Sequence, residues 1–172
     1  MRVIDYIHQG GVIMYILLAL NIVGLAIMLT KFIIFAKEKK MTEQISDDLG
    51  KRVRDDYESK DSNSIIEVAK QELQTYISNM ERGLNTVKII ASISPLLGLL
   101  GTVLGVLIAF RVMSQTGLNN PSSFAQGISM ALITTVGGMI VAIPHYIGHN
   151  YLIGMLDNLE TTLEKKIIKK VL

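Results

Sequence analysis

The chain has 172 residues, of which 49% are hydrophobic, 6% aromatic and none tryptophan, a composition that points to a membrane protein and away from a soluble domain. With no cysteine it has no disulfide, no zinc–thiolate site and no cysteine nucleophile. The net charge of +2 is small, but the charges are placed unevenly.

Taken in chain order, residues 1–10 read as a short mixed segment able to lie in the membrane interface, and Gly10-Gly11 allows a bend. Residues 11–35 form a first spanning helix whose interior carries one polar residue, Asn21, expected to act as packing glue. Its apolar run is too long for the h-region of a cleaved signal and lacks a small-residue cleavage pattern. Residues 36–88 are a charged helical region, with breaks suggested at Gly50 and at the run Ser59–Ser64. Ser64-Ile65-Ile66-Glu67 has the form of a capping box. From there Ile66, Ala69, Leu73, Tyr76 or Ile77, Met80, Leu84 and Val87 recur at helical spacing, which predicts one long helix from about Ser64 to Phe110 with Gly83 as its weak point.

Residues 89–111 are the second span. Between Lys88 and Arg111 no residue is charged, and at 1.5 Å per residue that segment is about 33 Å long. Gly98, Gly101 or Thr102, Gly105 and Ala109 make one small-residue stripe, of the kind that lets another backbone approach in lipid. Residues 112–123 read as a turn, with Ser122 or Ser123 capping the next helix. Residues 124–147 are the third span, with a second stripe of Gly127, Ala131, Thr134 or Thr135, Gly138 and Ala142. Pro95 and Pro144 are expected at kinks. Residues 148–172 continue as a helix with Leu152, Leu156, Leu159, Leu163 and Ile167 on one face, packed on the charged region. The fold class is thus an all-α membrane protein with three transmembrane helices, the second and third extended into the cytoplasm as a helical bundle.

Eleven of the lysines and arginines lie between Lys31 and Lys88 and four in the tail, while only Arg2 and Arg111 lie on the other side. The positive-inside rule then puts the loop and the C-terminus in the cytoplasm and the N-terminus outside. All fifteen acids fall outside the spans, so the chain has no titrating carboxylate of its own in the membrane. What it has are two hydroxyls. Thr102 lies about 20 Å from the inner face and Thr135 about 12 Å from the outer face, which places them at nearly one level of a bilayer core about 30 Å thick. They either hydrate a carboxylate held between them or bond their own i−4 carbonyls and only pack.

The run Pro95-Leu96-Leu97-Gly98-Leu99-Leu100-Gly101-Thr102-Val103-x-Gly105, ending in Ala109-Phe110, resembles the second span of the ExbB/TolQ/MotA proton-channel family. So do Gly127-Ile128-x-x-Ala131-Leu132-Ile133-x-Thr135 and Ala142-Ile143-Pro144 in the third. The likeness is closest to ExbB, with TolQ next, because MotA chains are longer and have four spans. It implies a homo-oligomer, a ring of five, in a bacterial inner membrane. The ring would surround a single-span partner of the ExbD/TolR type that carries a membrane aspartate. Proton motive force would be turned into work on an outer-membrane transport system through a TonB-like protein. The family's two threonines fall on Thr102 and Thr135, the ion pathway. Gly98, Gly101, Gly105, Ala131, Thr134 and Gly138 line the pore or pack around it. Many ExbB and TolQ chains carry a glutamate five residues before the second threonine. Met130 stands there, so the acid has to come wholly from the partner. The alternatives are a TolQ-like subunit for envelope maintenance and a scaffold without ion coupling.

His145 and His149 stand at metal-ligand spacing, but no carboxylate or cysteine lies on neighbouring turns, so an interfacial or inter-subunit role is expected and no metal. The balanced charges of the loop are no nucleic-acid patch. Lysine pairs near the C-terminus suit anionic lipid of the bilayer. No phosphate-binding loop or nucleophile–base pattern is visible, so neither a cofactor nor an enzyme activity is expected.

Overall fold

A computed structural model describes residues 3–56, 62–117 and 121–171. Every regular element there is an α-helix: α1 Val3–Gln9, α2 Gly11–Lys40, α3 Thr42–Asp56, α4 Ser62–Glu81, α5 Leu84–Thr116 and α6 Pro121–Val171. Three of them, over Gly11–Lys40, Leu84–Gln115 and Phe124–Lys170, are long and apolar enough to cross a membrane. The chain is a multi-pass, all-α membrane protein.

The bend at Gly10-Gly11 is present, with Gly11 at φ 62° between α1 and α2. Such a backbone suits glycine because it lacks the Cβ that clashes there. The single helix expected over residues 64–110 is divided. Gly83 adopts φ 93°, so α4 ends at Glu81 and α5 begins at Leu84. The Lys31 ammonium donates to the Met80 carbonyl at 2.7 Å, satisfying one of the acceptors that the end of α4 leaves open. Gly50, expected to break a helix, lies buried inside α3. A Cβ added there would meet Lys170 Cβ at 3.9 Å, an ordinary contact, so the position is compatible with a helix packed against α6. The expected break at Ser59–Ser64 falls partly outside the described residues, and α4 is already helical at Ser62, ahead of the capping box. The turn expected over 112–123 is shorter, because α5 runs on to Thr116. Pro121, not a serine, is the first residue of α6, where its fixed φ suits the first turn. Pro95 and Pro144 lie inside uninterrupted helices.

The chain divides into two compact units. The first comprises residues 1–26 and 86–148, with Ile13, Leu17, Ile90 and Val141 at its apolar centre. The second comprises residues 27–85 and 149–172. Its core joins Leu49 and Val53 of α3, Ala69, Leu73, Ile77 and Met80 of α4, and Leu152, Leu156, Leu159, Leu163 and Ile167 of α6. The leucine face read from residue spacing is therefore the buried one. Around it Lys166 and Lys170 reach from α6 to α3. Lys166 Nζ is 2.7 Å from Glu43 Oε1, and Lys170 Nζ is 2.6 Å from Asp47 Oδ1 and 3.4 Å from Glu43 Oε2. The hydrogen bonds from Lys166 and Lys170 hold the Glu43 carboxyl below its ordinary pKa, although the group itself is exposed. Burial, and then the hydrogen bond to Glu38, push the Tyr76 phenol well above the usual range.

Truncation Leu163→Ala, at a wholly buried position, is expected to cost about 2–5 kcal/mol of stability, read from thermal unfolding followed by circular dichroism. Because Glu43 is depressed in the folded state, its contribution is fully present above the ordinary carboxylate pKa and is lost as pH falls through the lower folded value. Glu43→Gln should therefore lower the melting temperature slightly at neutral pH and converge with the parent as pH falls well below about 4.5, which flattens the acid limb of the profile.

Candidate functional site: a hydroxyl pair on a glycine seam

The two small-residue stripes face each other. A Cβ on Gly98 would lie 2.9 Å from the Thr134 carbonyl oxygen, and one on Gly105 would lie 2.7 Å from that of Gly127. From the other side, a Cβ on Gly127 would lie 2.7 Å from Ala109 Cβ, and one on Gly138 would lie 2.5 Å from the Ser94 carbonyl oxygen. Three of these obstacles are backbone oxygens and the fourth is an alanine Cβ fixed to the backbone, none of which can swing away, so only glycine allows α5 and α6 this approach. Ala109 and Ala131 are the buried alanines of the same seam. Gly98, Gly101, Gly105, Ala131, Thr134 and Gly138, expected as pore-lining or packing residues, are thus placed in the packing between two helices of one chain.

The close approach brings Thr102 of α5 and Thr135 of α6 into a direct hydroxyl–hydroxyl hydrogen bond. Thr102 Oγ1 also lies 3.3 Å from the Gly98 carbonyl of its own helix and 3.2 Å from the Ala131 carbonyl of α6. Thr135 Oγ1 lies 3.3 Å from each of the same two carbonyls. Of the two alternatives read from the sequence, the bond to the i−4 carbonyl is present in both threonines, and beside it stands a bond across the seam. The cluster holds four oxygens but only two hydroxyl hydrogens. One hydrogen is used between the hydroxyls and the other on a carbonyl, so lone pairs remain to accept from a water or a protonated acid. Both threonines are half-buried, so the cluster stands at the edge of the seam.

Spacing alone left Thr134 and Thr135 equivalent, and the structure separates them. Thr134 is wholly buried, donates to the Met130 and Ala131 carbonyls at 3.1 and 2.9 Å, and fills the notch at Gly101. It packs, while Thr135 reaches across. Met130 is turned elsewhere, its Cε 3.1 Å from where a Cβ on Gly11 would stand. Ser94 is buried and donates to the Ile90 carbonyl at 2.7 Å.

One expectation is corrected. His145 is wholly buried inside the first unit, not interfacial. Its signal was available, since it follows Thr134 by eleven residues, three helical turns along the same buried face. Among the described residues no three histidine or acidic side chains gather as a metal site.

The profile of the MotA/TolQ/ExbB proton channel family matches residues 31–165. The chain is 42% identical over 96 residues to a putative biopolymer transport protein ExbB homolog of Methanothermobacter thermautotrophicus, covering 55% of this chain and 33% of that protein. It is 39% identical over 93 residues to the biopolymer transport protein exbB1 of Vibrio cholerae, covering 54% and 41%. It is also 39% identical over 74 residues to ExbB of Aquifex aeolicus, covering 43% and 50%. The matched segments span a third to a half of these relatives' own lengths.

Gly105→Leu should unseat α5 from α6, lowering stability by about 1–3 kcal/mol or preventing accumulation in the membrane. Gly154→Ala, where nothing lies within 4 Å of the added carbon, should be neutral or stabilise by about 0.5–1 kcal/mol. Thermal unfolding of the two purified variants, side by side with the parent, separates a seam glycine from an ordinary one.

Proposed function

This chain belongs to the MotA/TolQ/ExbB proton channel family, and from that premise we propose that it is the ring-forming subunit of an ion-driven motor for biopolymer transport. Its ring is a homo-oligomer, a pentamer, in a bacterial inner membrane, with the N-terminus periplasmic and the C-terminus cytoplasmic. A single-span partner of the ExbD/TolR type brings an aspartate to the hydroxyl pair, and a TonB-like protein carries the work outward. The energy comes from an ion gradient and not from a reaction at this chain.

The observation that carries the reading is the Thr102–Thr135 pair, joined across a glycine seam in a chain whose apolar stretches over residues 11–35, 89–111 and 124–147 contain no acid. A proton does not cross hydrocarbon without a titrating group, and ionisable residues inside a membrane mark such paths. Threonine hydroxyls do not titrate in this range, but they donate to a carboxylate and accept from a carboxylic acid. They can therefore hold a foreign acid in either protonation state at low cost, which is what a carrier that loads and unloads needs. Met130 at the position of the family's glutamate leaves the loading to the partner. The ExbB names of the relatives support the ExbB type over the TolQ type.

Thr102→Val and Thr135→Val each keep the shape and remove the hydroxyl. Each should leave ring assembly intact and reduce energised uptake at least about tenfold in cells carrying the cognate partner, the cost of one lost charge-assisted hydrogen bond or more. Full uptake in both variants, or uptake that survives collapse of the proton gradient, would leave only the scaffold reading.

A further inference from the structure

The His145 ring is closed in on three sides. It stands on α6 one residue after Pro144. A Cβ on Gly24 of α2 would collide with the Nε2–Cδ2 edge of the ring and would come within 3.1 Å of Ile90 Cδ1 on α5. Gly24 backbone and Ile90 side chain therefore meet at the imidazole, and the ring is wholly enclosed.

Its tautomer follows from its one hydrogen bond. Nδ1 is 2.7 Å from the Val141 carbonyl oxygen. A carbonyl only accepts, so Nδ1 carries the hydrogen and the neutral ring has a bare lone pair on Nε2. That nitrogen is buried and has no hydrogen-bond partner. An isosteric apolar side chain would fill the same space without leaving an acceptor unmet. On the helices around it the nearest charged or titratable side chains along the chain are Lys31 on α2, Lys88 on α5, and Tyr146 and His149 on α6. None is a carboxylate, so nothing in the packed state compensates an imidazolium.

We propose that His145 is a proton-binding site inside the helical packing, and that a proton taken from water by the Nε2 lone pair releases α2 from α6 at Gly24. The ring gains one positive charge and one N–H, and the Nδ1 hydrogen stays on Val141. In the closed packing that new N–H has no acceptor, and a buried charge without a partner is strongly disfavoured. Water has to reach the ring, so the protonated form belongs to an opened seam. The sign follows from linkage: the packed form of α2 on α6 binds no proton at this ring and the opened form does, so the packed form loses stability as pH falls. The inference uses neither the threonine pair nor a partner protein, so it stands or falls apart from the function proposed above.

The test is the full-length chain in lipid nanodiscs with nitrogen-15-labelled histidine, titrated from pH 8 to pH 5.5, a range that keeps Glu43 ionised. At pH 8 one ring should show a protonated Nδ1 and a bare Nε2. It should gain its second proton within the range while the melting temperature falls by about 5 °C or more. His145→Leu should show no such fall. A ring that keeps its bare Nε2 at pH 5.5 overturns the proposal, as does a parallel loss of stability in the two proteins. Should His145→Leu fail to fold, the double variant His8→Leu/His149→Leu retains the one histidine in question. Its melting temperature must still fall with pH, and a flat profile overturns the proposal.

Discussion

Backbone meeting backbone between α5 and α6 is the contact on which the candidate site depends. In lipid there is no hydrophobic reward for bringing helices together, so association rests on van der Waals contact and on hydrogen bonds across the gap. Gly98, Gly105, Gly127 and Gly138 remove the side chains that would hold the helices apart, and the carbonyls of Ser94, Gly127 and Thr134 take up the space. Only at that separation do two threonine side chains, each a few ångströms long, span the gap and share the Gly98 and Ala131 carbonyls.

Among the described residues of the first unit, the wholly buried hydroxyls and the threonine pair follow one rule, and the buried histidine is the exception to it. Ser94, Thr102, Thr134 and Thr135 each lie within hydrogen-bonding distance of a carbonyl one turn back in their own helix, the cheapest way to satisfy a hydroxyl where water is scarce. Thr102 and Thr135 do so while also facing each other, which leaves unused lone pairs at the edge of the seam. The exception is His145, which satisfies one nitrogen on the Val141 carbonyl and leaves the other bare. The unit thus offers two kinds of oxygen or nitrogen lone pair, one set half-open and neutral, the other enclosed and basic. They call for different chemistry, a hydrogen-bond donor at the first and a proton at the second.

The second unit is held together in the manner of a water-soluble bundle. Leucines of α6 and the apolar faces of α3 and α4 supply the burial, and lysines of α6 reach acids and hydroxyls of α3. The ion pairs are exposed on their acidic side, so they direct the register of α3 on α6 more than they stabilise it. Lys31 on the Met80 carbonyl and Gly83 in the left-handed region together end α4.

Much of this was legible in residue order. Three uncharged runs of spanning length, two small-residue stripes and one leucine face are periodic features, and periodicity is local information. The absence of acids in the spans and the family likeness of the two glycine–threonine runs are local in the same sense. What residue order left open were choices between near-equivalents. Thr134 or Thr135, a helix carried through Gly83 or broken at it, and Gly50 as a break or as a buried helical position near Lys170 were each decided by a neighbour from a distant part of the chain. His145 read as interfacial because spacing shows which residues share a face but not which face another helix will cover. Gly24, more than a hundred residues earlier, encloses it, and such a contact exists only once α2 is packed against α6.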